Sequence, residues 1–157
     1  MQNNREIRIC TAGSRKATHW PKNGLLWSEF VSRLKTPVRS TETYESYLKM
    51  SKPRQAELKD VGGFVGGTFL NDRRKAGQVE GRDLVTLDLD NIPAGQTEEV
   101  LKRVGGLGCA AVVYSTRKHA GYAPRLRVII PLDKTSTADQ YEPVARKLAA
   151  MIGIELC

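Results

Sequence analysis

Histidine, cysteine and aromatic residues are scarce in this chain, and long apolar runs are missing altogether. Two histidines and three cysteines without a CxxC spacing provide neither a zinc-finger ligand set nor a disulfide framework. Cys10, Cys109 and Cys157 then read as small buried hydrophobes or, at the terminus, a free thiol in a reducing compartment. Every apolar run falls short of the ~20 residues that a membrane span needs. Met1 to Arg5 lead into no apolar h-region, so neither a membrane anchor nor a secretory leader is expected, and the expected location is the cytoplasm. Aromatics at 6% leave little for a broad base-stacking surface, and Trp20, Trp27, Tyr44 and Tyr47 are expected to fill core and interface positions instead. Acids are also outnumbered, 17 against 25 lysines and arginines, giving a net charge of +8 and a pI near 9.6 over 157 residues. That surplus favours polyanionic partners. The bases stand in short clusters, Arg73-Arg74-Lys75, Arg117-Lys118-His119 and Arg125/Arg127, rather than in one low-complexity arm, which suggests positions around a folded site.

What the chain does have is a pair of acids inside an apolar run. In LVTLDLD (84–90), Val85, Leu87 and Leu89 alternate with Thr86, Asp88 and Asp90. A strand sends alternate side chains to opposite faces, so Asp88 and Asp90 leave one face roughly 7 Å apart. Acids are poor strand formers and need compensation. A solvated strand end running into the turn Asn91-Ile92-Pro93 accounts for them, and so does a hard divalent cation held by carboxylate oxygens.

The second half of the chain reads clearly. After the strand over 84–90, Thr97 is expected to cap a helix over 98–104 whose first turn is acidic, and the glycines at 105–108 end it. Strands are expected over 109–115 and 125–132. Ser136 or Thr137 starts a second helix, with Pro143 delaying or bending its first turn and Gly153 capping its end. The order β-α-β-β-α is that of an RRM-like or ferredoxin-like split βαβ core, hence an α+β fold, and Ile154-Glu155-Leu156-Cys157 stand where a last strand would begin. The expected organisation is a single domain over 1–157, with an incomplete core over 81–157 and an α/β extension over 1–80. In that extension, 6–10 suggests a strand, 11–16 a polar turn, 23–35 a helix by its apolar spacing, and 41–50 and 53–60 two short helices. GGFVGGTF (62–69) lacks the Lys-Ser/Thr pair of a phosphate loop and reads as strand-like, its glycines allowing a bulge or a close backbone approach. Residues 71–74 are expected to turn and 75–79 to form a loop.

A split βαβ sheet places its first and third strands side by side, so the face with Asp88 and Asp90 is expected to carry Arg125 and Arg127 as well. Arg117, Lys118 and His119 lie in the loop before that third strand. Carboxylates for a cation, arginines for phosphate oxygens and a histidine at the rim are what phosphoryl or nucleotidyl transfer uses. Cross-strand neutralisation of the two acids by the two arginines is the alternative.

LDLDN (87–91), YSTRKH (114–119) and PRLRVIIPL (124–132) resemble the primase-polymerase domain of the archaeo-eukaryotic primase superfamily. The nearest likeness is to the form at the N-terminus of prophage primase-helicase proteins, the virulence-associated E-like group, to which TAGSRKATHW (11–20) and GGFVGGTF also conform. The resemblance implies metal-dependent nucleotidyl transfer on a single-stranded DNA template from nucleoside triphosphates, with a helicase domain or protein as partner. It implies Asp88 and Asp90 as ligands of Mg²⁺ or Mn²⁺, and His119 with Ser115 as contacts to the incoming phosphates. Arg127, flanked by Arg125, matches the basic residue of the following strand. The serine fit departs from the family's Ser-x-His, since Arg117 holds the place two residues before His119. The family's third acid belongs to the strand after the last helix, beyond the last residue given, so a catalytic fragment or an inactive remnant is expected. Arg73, Arg74, Lys75, Arg117 and Lys118 are expected to line a template or nucleotide channel. A non-catalytic nucleic-acid-binding module of a replication protein, and a metal-dependent nuclease or phosphatase, are the competing readings.

Overall fold

The computed structural model describes residues 4–153, which places Cys157 and the segment 154–157 outside the described residues. Among the described residues, two antiparallel sheets and five α-helices make an α+β fold. The central sheet has the order β4-β5-β7-β6, with β4 at Gly67–Phe69, β5 at Val79–Leu89, β6 at Val112–Ser115 and β7 at Leu126–Ser136. Helix α4 (Thr97–Gly105) joins β5 to β6, and α5 (Ala138–Ile152) follows β7. Because β7 lies antiparallel between β5 and β6, the unit β5-α4-β6-β7-α5 is a split βαβ. A smaller sheet of order β2-β1-β3 comes from the N-terminal part: β1 at Glu6–Ala12, β2 at Lys22–Leu26 and β3 at Gly63–Val65. Helices α1 (Trp27–Leu34), α2 (Tyr44–Lys49) and α3 (Lys52–Leu58) lie between β2 and β3.

The two faces of β5 are buried against different partners. Val85, Leu87 and Leu89 join Leu126, Val128 and Ile130 of β7 in a core closed by Val100 and Val104 of α4 and by Ala145, Ala149 and Ile152 of α5. On the other face Leu84 and Ile129 pack with Ile7, Ile9, Leu25, Trp27 and Phe30 of the N-terminal sheet and α1. Phe64, Val112 and Tyr114 pack at the edge of this second cover, and Asp88 beyond it stays exposed.

Several boundaries differ from those the sequence suggests, each for a tertiary reason. The helical spacing over 23–35 holds only from Trp27, because 22–26 pairs with β1 from Cys10↔Lys22 to Glu6↔Leu26. Strand β5 begins at Val79 rather than Leu84, since Gly81 and Arg82 pair with Thr68 and Gly67 where no hydrophobic alternation marks a strand. Strand β6 starts at Val112, not at Cys109, and Gln96 rather than Thr97 occupies the N-cap of α4. Helix α5 runs through Pro143 from Ala138 with Thr137 as its cap, and Gly153 ends it in the left-handed conformation at φ 78. The strand-like reading of 62–69 resolves into two strands in two sheets. A Cβ on Gly67 would collide with the carbonyl oxygen of Gly81, so the glycine is what lets β4 approach β5.

Asp83 fastens the two sheets together. The residue is 2% exposed and sits at the bulge where the β5–β7 register shifts. The backbone N–H of Arg8 donates to its Oδ2 at 2.7 Å and the Thr135 hydroxyl donates to its Oδ1 at 2.6 Å, while an Arg5 guanidinium nitrogen stands 3.1 Å from Oδ2. One carboxylate thus binds β1, β7 and the residue preceding β1. A second tie is Arg117, in the loop after β6. Its guanidinium donates to Ser40 Oγ at 2.6 Å, to the Leu58 carbonyl at 3.3 Å and to the Glu42 carboxylate, and lies 4.5 Å over the Tyr47 ring. It holds the 36–43 loop, α2 and the end of α3 against the central sheet. Hydrogen bonds from its own backbone and from Ser40, with Arg117 adding charge, hold the Glu42 carboxyl below its ordinary range.

Asp83→Ala should destabilise the fold by about 3–5 kcal/mol in urea denaturation, the cost of leaving Arg5 and the Arg8 N–H without their buried partner; an unchanged midpoint would remove Asp83 from this role. Arg117→Lys should cost about 2 kcal/mol, because an ammonium cannot span four partners. Since the Glu42 carboxyl is depressed on folding, its share of that difference is complete at neutral pH and lost as the pH falls through and below the carboxylate range. The gap between wild type and variant should therefore narrow in acid.

Candidate functional site

Beyond the N-terminal cover, the open end of the central sheet forms the floor of a cleft of about 820 Å³. The register of three strands arranges that floor. Asp88 stands opposite Arg127, and Arg127 opposite Tyr114, so one row crosses β5, β7 and β6. Arg127 forms a two-pronged ion pair with Asp88, Nε to Oδ1 at 2.5 Å and Nη2 to Oδ2 at 3.1 Å, and its Nη1 reaches the Tyr114 hydroxyl at 3.5 Å. Asp90, just past the end of β5, meets Arg125 Nη1 at 3.3 Å. Burial works against the Arg127 charge, but the Asp88 carboxylate and the Tyr114 hydroxyl outweigh it and hold the guanidinium above its ordinary value. Both carboxylates remain 55% exposed, so each is paired on one side and open to the cleft on the other.

Ser115, Thr116, Arg117 and Lys118 continue the wall, and across from them stand Arg33, Arg39 and Lys59 with the segment 61–64. Seven basic side chains therefore surround Asp88 and Asp90. Among the described residues, Arg33, Arg39, Lys59 and Lys118 have no carboxylate at ion-pairing distance. Such concentrated, uncompensated positive charge in a concave site attracts polyanions.

The residues singled out in the sequence divide into three groups. Asp88, Asp90, Ser115, Arg117, Lys118, Arg125 and Arg127 line this one cleft. Of these, Arg117 already spends its guanidinium on the clamp to Ser40, Glu42 and Leu58. His119 lies behind the wall. Its Nδ1 stands 3.1 Å from the Arg125 backbone nitrogen and 3.2 Å from the Arg125 carbonyl oxygen, so the ring is tied to the backbone from which Arg125 projects. Arg73, Arg74 and Lys75 are outside the cleft. They follow the β4 turn, beside the start of β5, where His19 bridges Arg73 and the Arg74 guanidinium lies 4.8 Å over the Trp20 ring.

Arg33, Arg39 and Lys59 escaped the sequence reading, as did Val38, Val61 and Phe64 of the same wall. Scattered over 33–64, they share no spacing, and only the docking of the N-terminal sheet assembles them. Asp83 did leave a signal, an acid one position ahead of an apolar strand with no turn residue beside it.

A family model described as the VapE N-terminal domain matches residues 1–157. No curated protein and no solved structure matches the chain. The match covers both sheets and every residue of the cleft, and the chain belongs to the VapE N-terminal domain family, a prophage virulence-associated E family.

Proposed function

We propose that this domain binds a nucleoside triphosphate and single-stranded DNA in the basic cleft and joins nucleotides in a divalent-cation-dependent reaction, as the primase-polymerase part of a phage replication protein. The observation that carries this reading is the pair of ion pairs at the open end of the central sheet, Asp88 with Arg127 on adjacent strands and Asp90 with Arg125 just past their ends, in a cleft with a surplus of positive charge. Membership of the VapE N-terminal domain family, which points to phage-associated replication, and the likeness of the 87–91, 114–119 and 124–132 motifs to archaeo-eukaryotic primases support it.

The donor set suits one hard cation, Mg²⁺ or Mn²⁺, shared with the substrate. Asp88 and Asp90 supply oxygens from neighbouring positions, and phosphate and water oxygens would complete the shell. Among the described residues, no group of three or more His, Cys, Asp or Glu side chains stands together, so a cage made by protein alone is not part of this reading. When bound, the cation would draw charge from the phosphoryl oxygens. The protein's own part is an exchange of partners. Arg127 and Arg125 leave Asp88 and Asp90 for phosphate oxygens, which match the guanidinium fork, and so release both carboxylates. His119, through its bond to the Arg125 backbone, positions that arginine. Lys118, Arg39 and Lys59 face the template strand.

A binding module without catalysis is the second reading. It is favoured by the pairing itself, which neutralises both acids without a cation.

Asp88→Asn should lower Mn²⁺-dependent incorporation of labelled nucleotide, measured in the full-length protein, by about 10²-fold or more, with an unchanged unfolding midpoint. Undiminished incorporation would sink the assignment. DNA binding that persists in EDTA, with no incorporation by either protein, would favour the second reading. In a salt titration with oligo-dT, replacing both Arg39 and Lys59 by Ala should flatten the log-log slope by about 1.4, since each lost phosphate contact on a single strand removes about 0.7. An unaltered slope would place the DNA elsewhere.

A further inference from the structure

The cleft is lined by apolar as well as charged side chains, and the electrostatic reading uses only the charged ones. Beside Arg39 and Lys59, the same segments contribute Val38, Val61, Gly63 and Phe64 to the lining. Val38 is 69% exposed and Val61 56%, high values for aliphatic side chains with covered positions nearby, and both open on the same cleft. Phe64 is held rather than loose: its ring meets Phe30 edge-on, with centroids 5.0 Å apart and planes at 83°. Gly62 adopts φ +86, and a Cβ there would stand 2.8 Å from the Ala12 carbonyl, so backbone geometry requires that glycine. Gly63 is different. A Cβ built on it meets nothing within 4 Å, so its bare backbone borders empty cleft rather than protein. Across the floor, Tyr114 is fixed through its hydroxyl to Arg127.

Resting on the nucleotide reading above, we propose that this apolar wall seats the base and sugar of the nucleotide whose phosphates lie on Arg125 and Arg127. The ligand must be polyanionic at one end and flat and apolar at the other, and a volume of about 820 Å³ accommodates a nucleotide. Covering Val38 and Val61 removes apolar surface from water, and this gain is tolerant of base identity because every base has an apolar face. Gly63 leaves the room: a side chain there would occupy the space the sugar or base takes, with no clash inside the protein. The wall thus separates nucleotide from bare polyphosphate, while the arginines alone do not.

Isothermal titration with Mn²⁺ present would compare ATP with inorganic tripolyphosphate, on the wild type, on a Val38→Ser/Val61→Ser double variant and on Gly63→Leu. The wild type should bind ATP about tenfold or more tightly than tripolyphosphate, the scale set by withdrawing two exposed valine side chains from water. Both variants should bring ATP down to the tripolyphosphate level, leave tripolyphosphate binding unchanged and melt at the wild-type temperature. Equal wild-type binding of the two anions, or variants that weaken both alike, would overturn the apolar seat and leave the phosphate site standing. If neither anion binds, the nucleotide reading falls and the seat with it.

Discussion

The buried carboxylate of Asp83 is the contact on which the rest of the arrangement depends. A split βαβ sheet covered by helices on one side leaves its other face bare, and here that face carries Leu84 and Ile129. These residues require a cover, which the N-terminal sheet provides. Apolar packing is non-directional, so it brings the two layers together without choosing how far along the strands the cover sits. The directional contacts do that. Asp83 accepts from the Arg8 backbone and the Thr135 hydroxyl at the β5 bulge, and thereby places β1 over the middle of β5 and β7. The end of the central sheet stays open, and α1, the 36–39 loop and the 61–64 segment become the far wall of a cleft instead of its lid.

Within the cleft, the two acids and two arginines are joined as Asp88 with Arg127 and Asp90 with Arg125. The Asp88–Arg127 fork is geometrically strong, yet both carboxylates keep half their surface toward the cleft, where solvent weakens the attraction. A pair of this kind neutralises itself when alone and, under the proposed function, would exchange when phosphate and a cation arrive together. The same geometry therefore agrees with cross-strand neutralisation in the free protein and with cation binding in a loaded one. The basic side chains of Arg33, Arg39, Lys59 and Lys118 are outside this exchange and would attract a polyanion in either state.

Much of the central sheet could be read directly from residue order. The alternation in 84–90, the apolar strands around Val112 and Val128, the acidic first turn of α4 and Gly153 at the end of α5 are local signals, and the pairing of β5 with β7 followed from the order of the elements. That pairing brought Asp88, Asp90, Arg125 and Arg127 together as expected, though not which of them would be joined to which. The N-terminal half was less legible. Leu25 and Leu26 belong to the helical spacing of 23–35, yet 22–26 become a strand because β1 needs a partner, and Glu80-Gly81-Arg82 become a strand because β4 does. His119 and Arg117 stand in a motif that reads as a ligand cluster, and folding commits one to a backbone and the other to a clamp.

The amino-acid order by itself determined the α+β class, the split βαβ sequence of elements and the presence of two acids and two arginines on one sheet face, since strand alternation and neighbouring strands follow from periods of two residues and from connectivity. Tertiary structure alone decided that this face ends in a cleft, that Arg33, Arg39, Lys59, Val38 and Val61 line it, and that Arg73, Arg74 and Lys75 do not. The reason is that a wall built from residues far apart in the chain depends on where one layer docks on another, and that is set by buried contacts such as Asp83 with Arg8 and Thr135, which no local pattern records.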